Sequence, residues 1–340
     1  MSQKIPYLKI KAKNNFDLGL QLGRKLKTET RRRLTENKKI YKKIKAGSFP
    51  RLVSMAKNFL PCIKKDYPDL LSELDGLSQG AGVAFSDLLV VMCEEEIIDF
   101  KTEHCTSIAL KIGRQAVIGH NEDWLPSYRH NGLYLINASL AGKKFLALSY
   151  MGGLPGTSSG LNSDGFCYTA NSLNAGRFRY GIPVKFQLRA FLGVKNRQEA
   201  LRVDLRDSTI TSNTMLIWKN SKILDIEDYF GHHQEFYGRK FLIHTNHPVL
   251  NSDRTKDNTD SESVKRYEYV KNAFNKRKKI DVDFLKSVLQ DHTSGICGHP
   301  NAKHPTYGVT IASIIMNPKE KWVALAAGNP CENRYVKYKL

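Results

Sequence analysis

103-EHCTSIAL-110 sets a cysteine at the mouth of an apolar, β-branched run, with a histidine before it and two hydroxyl residues after it. The run reads as a strand. A cysteine there can be a small buried hydrophobe or a nucleophile, and a nucleophilic thiol needs a base. His104 is next in sequence, but adjacent side chains on an extended chain point to opposite faces. It is therefore badly placed to take a proton from Cys105.

The character of the chain changes at this cysteine. Before it, residues 5–12 alternate like a strand. Asn15 then opens a long helical pattern with Leu18, Leu20, Leu22, Leu26 and Leu34 among its apolar positions. Further helices are expected over 51–65 (interrupted at Pro61), 69–78, and 86–100 with Ser86 as the cap. After it, CTSIALKI, a Gly113-Arg114 turn and QAVIGHN read as a hairpin. GLYLINASL, KKFLALSYM and GFCYTANSL continue the strands. Helices are expected near 182–192 and 197–206, and strands at 210–218, 222–227 and 237–244, with 231-GHHQ-234 as a turn. Helices near 261–276 and 281–290 follow, and the chain closes on YGVTIASIIMNP, a KEK turn, WVALAAG and RYVKYKL. Many antiparallel strands with paired helices between them predict an α+β fold of stacked layers, helices outside and two sheets inside.

Composition sets outer bounds. The 340 residues are 41% hydrophobic and 10% aromatic, an ordinary globular balance. No apolar run approaches the ~20 residues of a membrane span, so no membrane insertion is expected. MSQKIPYLKIKAK lacks an apolar signal core, which predicts a cytoplasmic protein. Cysteines 62, 93, 105, 167, 297 and 331 follow no disulfide-framework or zinc-ribbon spacing and are expected to be free thiols. Cys62, Cys93, Cys167 and Cys331 read as packing residues. The stretch 292-HTSGICGHP-300, with His304 beyond, offers His292, Cys297, His299 and His304, but their spacing fits no standard zinc pattern. A loop near the active site is the expectation there, with no metal and no cofactor.

The net charge is +20 and unevenly placed. Residues 1–60 hold 17 Lys/Arg against three Asp/Glu, and 265–279 is a second basic run. A solvated helix face explains this, as does attraction to an anionic ligand. Few aromatics interleave the charge, so no specific nucleic-acid binding is expected. A basic module for nucleic acid or a membrane surface, with no catalytic use of Cys105, stays the alternative to an enzyme.

The enzyme reading rests on convergence. Eighteen residues after Cys105 comes Asp123, in 119-GHNEDW-124, and the hairpin would bring the two together. Asn121 and Trp124 of the same motif are candidate substrate contacts, Trp124 equally a core residue. Asn171, ending the strand in 160-GLNSDGFCYTANSL-173, and Asn246, in 243-IHTNHP-248, could donate hydrogen bonds to an oxyanion. Both fit turn or strand-end roles as well. The missing base has one economical solution. If the His104–Cys105 bond is cut, the α-amine of Cys105, with a reference pKa of about 7.7–8.0, can serve.

The ordered set Cys105-Thr106-Ser107-Ile108, GHNEDW, PGTSSGLN, TANSL, HTNHP and IASIIMNP…AAGNP resembles the penicillin acyltransferase family. These are N-terminal-nucleophile hydrolases typified by acyl-coenzyme A:6-aminopenicillanic acid acyltransferase, and related to the choloylglycine hydrolases. The resemblance runs from Ile5 to the C-terminus. It implies a four-layer αββα sandwich made as a self-cleaving precursor, with 1–104 a helical pro-segment or small chain and 105–340 the catalytic core. It implies Cys105 as nucleophile, Asp123 as the carboxylate that holds the amine, Asn246 as an oxyanion donor, and Asn171 in that role by analogy with the choloylglycine branch. It also implies that the two cut chains stay associated and that the partner is a small amide or acyl donor. A glycine commonly precedes the nucleophile in the family; here His104 stands there.

Overall fold

The computed structural model describes residues 5–98, 105–173, 178–204, 209, 212–218, 222–229, 232–249, 261–300 and 308–340. Before Cys105 come β1 (Tyr7–Ala12) and the helices α1 (Asn15–Lys25), α2 (Lys27–Lys43), α3 (Phe49–Lys57), α4 (Leu60–Asp66), α5 (Pro68–Ala81), α6 (Phe85–Met92) and α7 (Glu94–Ile97). After it come β2 (Thr106–Ile112), β3 (Gln115–Trp124), β4 (Leu133–Leu140), β5 (Lys143–Tyr150), β6 (Ser159–Asn162) and β7 (Phe166–Ser172). Then follow α8 (Val184–Phe191), α9 (Arg197–Asp204), β8 (Ser212–Trp218), β9 (Lys222–Tyr229), β10 (His232–Gly238) and β11 (Phe241–His244). The last elements are α10 (Ser261–Lys276), α11 (Val282–Leu289), β12 (Val309–Asn317), β13 (Trp322–Ala327) and β14 (Val336–Lys339).

Two expectations are corrected. Ser86 is not the cap of α6: the helix begins at Phe85, and Ala84 sits at the cap position with no side-chain hydrogen bond. The residues His232–Gln234, read as a turn, start β10, which pairs antiparallel with β9; the single strand expected over 237–244 is divided between β10 and β11. An aspartate and an asparagine do cap as local chemistry favours. Asp281 accepts from the Phe284 N–H ahead of α11, and Asp17 lies in the first turn of α1 behind Asn14, which accepts from the Asp17 N–H.

The strands form an eight-stranded sheet, β1-β4-β5-β6-β7-β8-β9-β10, and a six-stranded sheet, β11-β2-β3-β12-β13-β14. Pairing is antiparallel except at β1, which runs parallel to β4 with Tyr7 opposite Leu135. The alternation of β2 assigns its faces. Ile108 and Leu110 join Val270, Phe274, Leu285 and Leu289 in a core between the six-stranded sheet and α10 and α11. Ala109 faces the other way, into the main core. Ser107, on the same side as Ala109, bonds Thr169 and Asn171 of β7, so the two sheets face each other across this strand. On the far side of the eight-stranded sheet, Phe191 of α8 stacks on Phe166 and Tyr168.

The helical segment before Cys105 is built into the same body. Helices α1 and α5 cross on glycines: a Cβ at Gly19 would lie 1.9 Å from the Glu73 carbonyl oxygen, and one at Gly76 2.2 Å from that of Phe16. Only residues without a side chain allow that approach. The crossing holds Glu73, which receives both Nε and Nη2 of Arg189 at 2.7 and 2.6 Å. Lys185, on the same helix α8, pairs with Glu94 at 2.6 Å. Part of the basic excess of the first 60 residues is structural. Arg33 is buried over the Tyr128 ring, and Arg31 donates to the carbonyls of Ala81 and Gly82. Lys39, Lys42 and Lys43 lie on the exposed face of α2.

Candidate active site

The β2–β3 hairpin builds the site. Thr106 pairs with Asn121 and Ser107 with His120, so Cys105 falls opposite Glu122 and diagonal to Asp123. The Cys105 Sγ accepts from the Asp123 backbone N–H at 3.5 Å and lies 3.6 Å from the Asp123 carbonyl oxygen. Asp123 does therefore return to Cys105, but it meets the sulfur with its backbone. The carboxylate nearest the sulfur is that of Glu122, with Oε1 at 4.0 Å. This residue stood in the GHNEDW motif and was not singled out. Strand alternation would have found it, because Glu122 shares a face with His120 and Trp124 while Asp123 points away.

Glu122 is held by two hydroxyl donors, with the His120 ring beside it. Tyr150 donates its hydroxyl to Oε1 at 2.5 Å, Ser158 donates to Oε2, and His120 Nε2 lies 3.3 Å from Oε2. Burial pushes this carboxyl up, but the hydrogen bonds and the His120 ring outweigh it and the net shift is downward. The network continues from His120 Nδ1 to Ser107 Oγ at 2.8 Å, and from Ser107 to Asn171 Oδ1 at 3.0 Å. The ligand-type atoms of Cys105, His120 and Glu122 lie within 4.8 Å of one another. The Glu122 oxygens are occupied by these donors, so the trio reads as a hydrogen-bonded network rather than a metal site.

Asp123 is different. It is fully buried, and neither carboxylate oxygen has a hydrogen-bond partner of good geometry among the described residues. Burial raises its pKa to about 7, although the nearby Thr310 hydroxyl and the Arg266 charge pull it back and Glu122 pushes it further. A buried carboxyl whose nearby donor, the Thr310 hydroxyl, is poorly aligned is costly. On this same side stands Arg266, on α10, buried and missed in the sequence because it sits in the basic run 265–279. Its Nη1 donates to the Cys105 carbonyl at 2.7 Å and to Thr106 Oγ1 at 3.0 Å, and its Nη2 to Asn246 Oδ1 at 3.0 Å.

A narrow cleft opens at Cys105, lined among others by Glu95, Glu122, Trp124, Tyr150, Asn171 and Val184. Trp124 is thus a wall of this cleft and packs edge-on to Tyr150 at 6.0 Å. Asn171 also lines it. Asn246 is not among the lining residues: its Nδ2 donates to the Ser172 carbonyl at 3.0 Å, the one bond it donates among the described residues. Asn121 is not brought to the cleft. It faces α11, with Nδ2 donating to the carbonyls of Leu289 and Ile296 at 2.9 and 2.8 Å, so it is a structural tie. His104 and His304 lie outside the described residues.

A helix-covered pair of face-to-face sheets, with a cysteine at the head of β2, is a four-layer αββα sandwich. The chain belongs to the acyl-coenzyme A:6-aminopenicillanic acid acyl-transferase family, which it matches over residues 111–332. That span takes in Asp123, Asn171 and Asn246 and begins six residues after Cys105. Over 172 residues the chain is 27% identical to a β-alanyl-dopamine/carcinine hydrolase of Drosophila melanogaster, which covers 44% of this chain and 44% of that one. Among solved structures it is similar to a variant of the conjugated bile acid hydrolase from Clostridium perfringens, at 13% identity and a TM-score of 0.45 over 69% of this chain and 97% of that one. It is also similar to penicillin V acylase from Agrobacterium tumefaciens, at 13% identity and a TM-score of 0.41 over 66% of this chain and 82% of that one. Among the described residues no helix is long and apolar enough to cross a membrane.

Proposed function

We propose that this chain is a cysteine N-terminal-nucleophile amidohydrolase or acyltransferase, made as a precursor that cuts itself between His104 and Cys105 and acting on a small linear amide. The observation that carries this reading is the buried Asp123 carboxylate, without a well-aligned hydrogen bond among the described residues, on the residue whose backbone N–H meets the Cys105 sulfur. A free α-amine on Cys105 would supply the missing donor, and the carboxylate would hold that amine as an oriented base.

In the cutting step Sγ attacks the carbonyl of residue 104, the acyl group shifts from nitrogen to sulfur and frees the α-amine, which takes up the thiol proton, and water then hydrolyses the thioester to release the carboxylate of residue 104 and the Cys105 thiol. In turnover the amine takes the thiol proton, the thiolate attacks the substrate carbonyl, and Asn171, with Asn246, faces the oxyanion. The protonated amine then gives its proton to the leaving nitrogen. Water or an acceptor amine resolves the thioester. Arg266 holds the Cys105 carbonyl and Asn246 in one frame and is a positioning residue. Trp124 and Tyr150 give the cleft an aromatic wall.

The two chains would stay together, because β1 remains a strand of the eight-stranded sheet and α1 to α7 share its core. On this reading 1–104 is the small chain and 105–340 the catalytic one. Intact-mass measurement with N-terminal sequencing is the test. Pieces of about 12 and 27 kDa are expected from 38.6 kDa over 340 residues, the larger beginning at Cys105. Turnover by a chain that stays full length would sink the mechanism.

A further inference from the structure

A second cluster of reactive side chains lies away from the Cys105 cleft. His292, Cys297 and His299 come from the segment after α11, and Cys331 comes from the segment between β13 and β14. One ligand atom from each lies within 4.8 Å of all the others. The Sγ atoms of Cys297 and Cys331 are 3.5 Å apart, and His299 Nε2 is 3.7 Å from the first and 3.3 Å from the second. A tetrahedral zinc ion, with Zn–S of about 2.3 Å and Zn–N of about 2.0–2.1 Å, requires donor–donor edges of about 3.3–3.8 Å. The three measured edges match.

The surroundings are those of a ligand set. The other ring nitrogen of His299, Nδ1, lies 3.5 Å from the Glu332 carboxylate. A carboxylate there fixes the tautomer that leaves the Nε2 lone pair aimed at the two sulfurs. Asn329 donates from Nδ2 to Cys297 Sγ at 3.4 Å and is itself held by Arg129, which donates to Asn329 Oδ1 at 2.8 Å. The His292 and His299 rings stack 4.7 Å apart. A soft divalent cation would satisfy the two thiols and two imidazoles at once.

We propose that His292, Cys297, His299 and Cys331 bind one structural zinc ion in a closed tetrahedral S₂N₂ site. Two thiolates and two imidazoles are the donor set that selects zinc over hard cations. The sequence concealed it because the fourth ligand lies 32 residues beyond the third, across the β12–β13 pair, and spacing rules see only local ligands. The expectation of no metal, and of Cys331 as a packing residue, is revised accordingly. The ion would clamp the 291–300 loop to the C-terminal segment. That loop exchanges hydrogen bonds with Thr310, at 2.9 Å from the Gly298 N–H and 3.0 Å from the Thr310 N–H. Thr310 stands opposite Asp123 in the β3–β12 pair. The site would therefore brace the outer wall of the Asp123 pocket without touching substrate.

The test uses the full chain, purified under reducing conditions, stripped of metal and titrated with Co²⁺ alone. One equivalent should produce the intense visible bands of tetrahedral cobalt with a thiolate charge-transfer band, and Zn²⁺ should displace it. Elemental analysis after zinc dialysis should give one zinc per chain. Cys297→Ser and Cys331→Ser should abolish the thiolate spectrum, and His292→Ala, an exposed change that spares the core, should weaken Co²⁺ binding by about tenfold or more. Cys105→Ala and Cys62→Ser should bind as the parent does. An octahedral cobalt spectrum, or uptake lost in Cys105→Ala but kept in Cys297→Ser and Cys331→Ser, would overturn the assignment. So would a disulfide joining Cys297 and Cys331 in reduced protein that takes up no cobalt.

Discussion

Replacing Asp123 by asparagine in a chain kept uncut by Cys105→Ala should change stability by an amount that depends on pH. Asp123 titrates at about 7 in the fold, against an ordinary value of 3.8, because burial penalises its charge. A carboxyl raised in this way contributes its stability fully below the unfolded pKa and loses it as pH rises through the folded one. Integrating that linkage, the charged group costs about 2 kcal/mol at pH 5 and about 4 kcal/mol at pH 8. Asparagine also buries unpaired polar atoms, but that cost is the same at both pH values and cancels in the comparison. The measurement is urea unfolding of Cys105→Ala and of Cys105→Ala/Asp123→Asn at each pH. The double variant should gain roughly 2–3 kcal/mol relative to the single one between pH 5 and pH 8. A difference independent of pH would refute the poorly bonded carboxylate. In the cut enzyme, where an amine would face Asp123, the same substitution should bring no gain and should remove turnover.

Brief iodoacetamide labelling with peptide mapping should mark Cys105 ahead of Cys93 and Cys167, whose thiols burial pushes well up. Arg266→Ala strands the Cys105 carbonyl and Asn246 Oδ1 in a buried site, at about 1–3 kcal/mol for each orphaned group, and should show as a lowered melting temperature and lost processing. Asn121→Ala, which frees two buried carbonyls on the far face of the sheet, should cost about 2–4 kcal/mol yet leave the kcat/KM of the folded fraction near the parent value. Lys→Gln changes at Lys38, Lys39, Lys42 and Lys43 should leave the salt dependence of kcat/KM shallow. A steep response confined to anionic substrates, and removed by those changes, would instead indicate steering within the ~8 Å screening length.

The local grammar of the chain was legible in the sequence alone. Alternation in CTSIALKI and QAVIGHN, broken by Gly113 at positive φ, determined a hairpin, and the hairpin by itself determined that Asp123 returns to Cys105. The order of short motifs along the chain was enough to suggest the layered fold. What local patterns could not carry was which groups face each other across layers. Glu122 takes the sulfur side and Asp123 the other because the pleat assigns neighbours to opposite faces, and the bulge near Thr310 and the burying sheet decide what each then meets. Arg266 looked like one more surface cation until α10 packed it against the head of β2. Asn121 looked like a site residue until α11 claimed its amide. Cys331 reaches Cys297 and the two histidines only because β12 and β13 fold back as a pair. In each case the deciding contact joins residues far apart in sequence, and only the packing of one element on another brings them within hydrogen-bond or ligand distance.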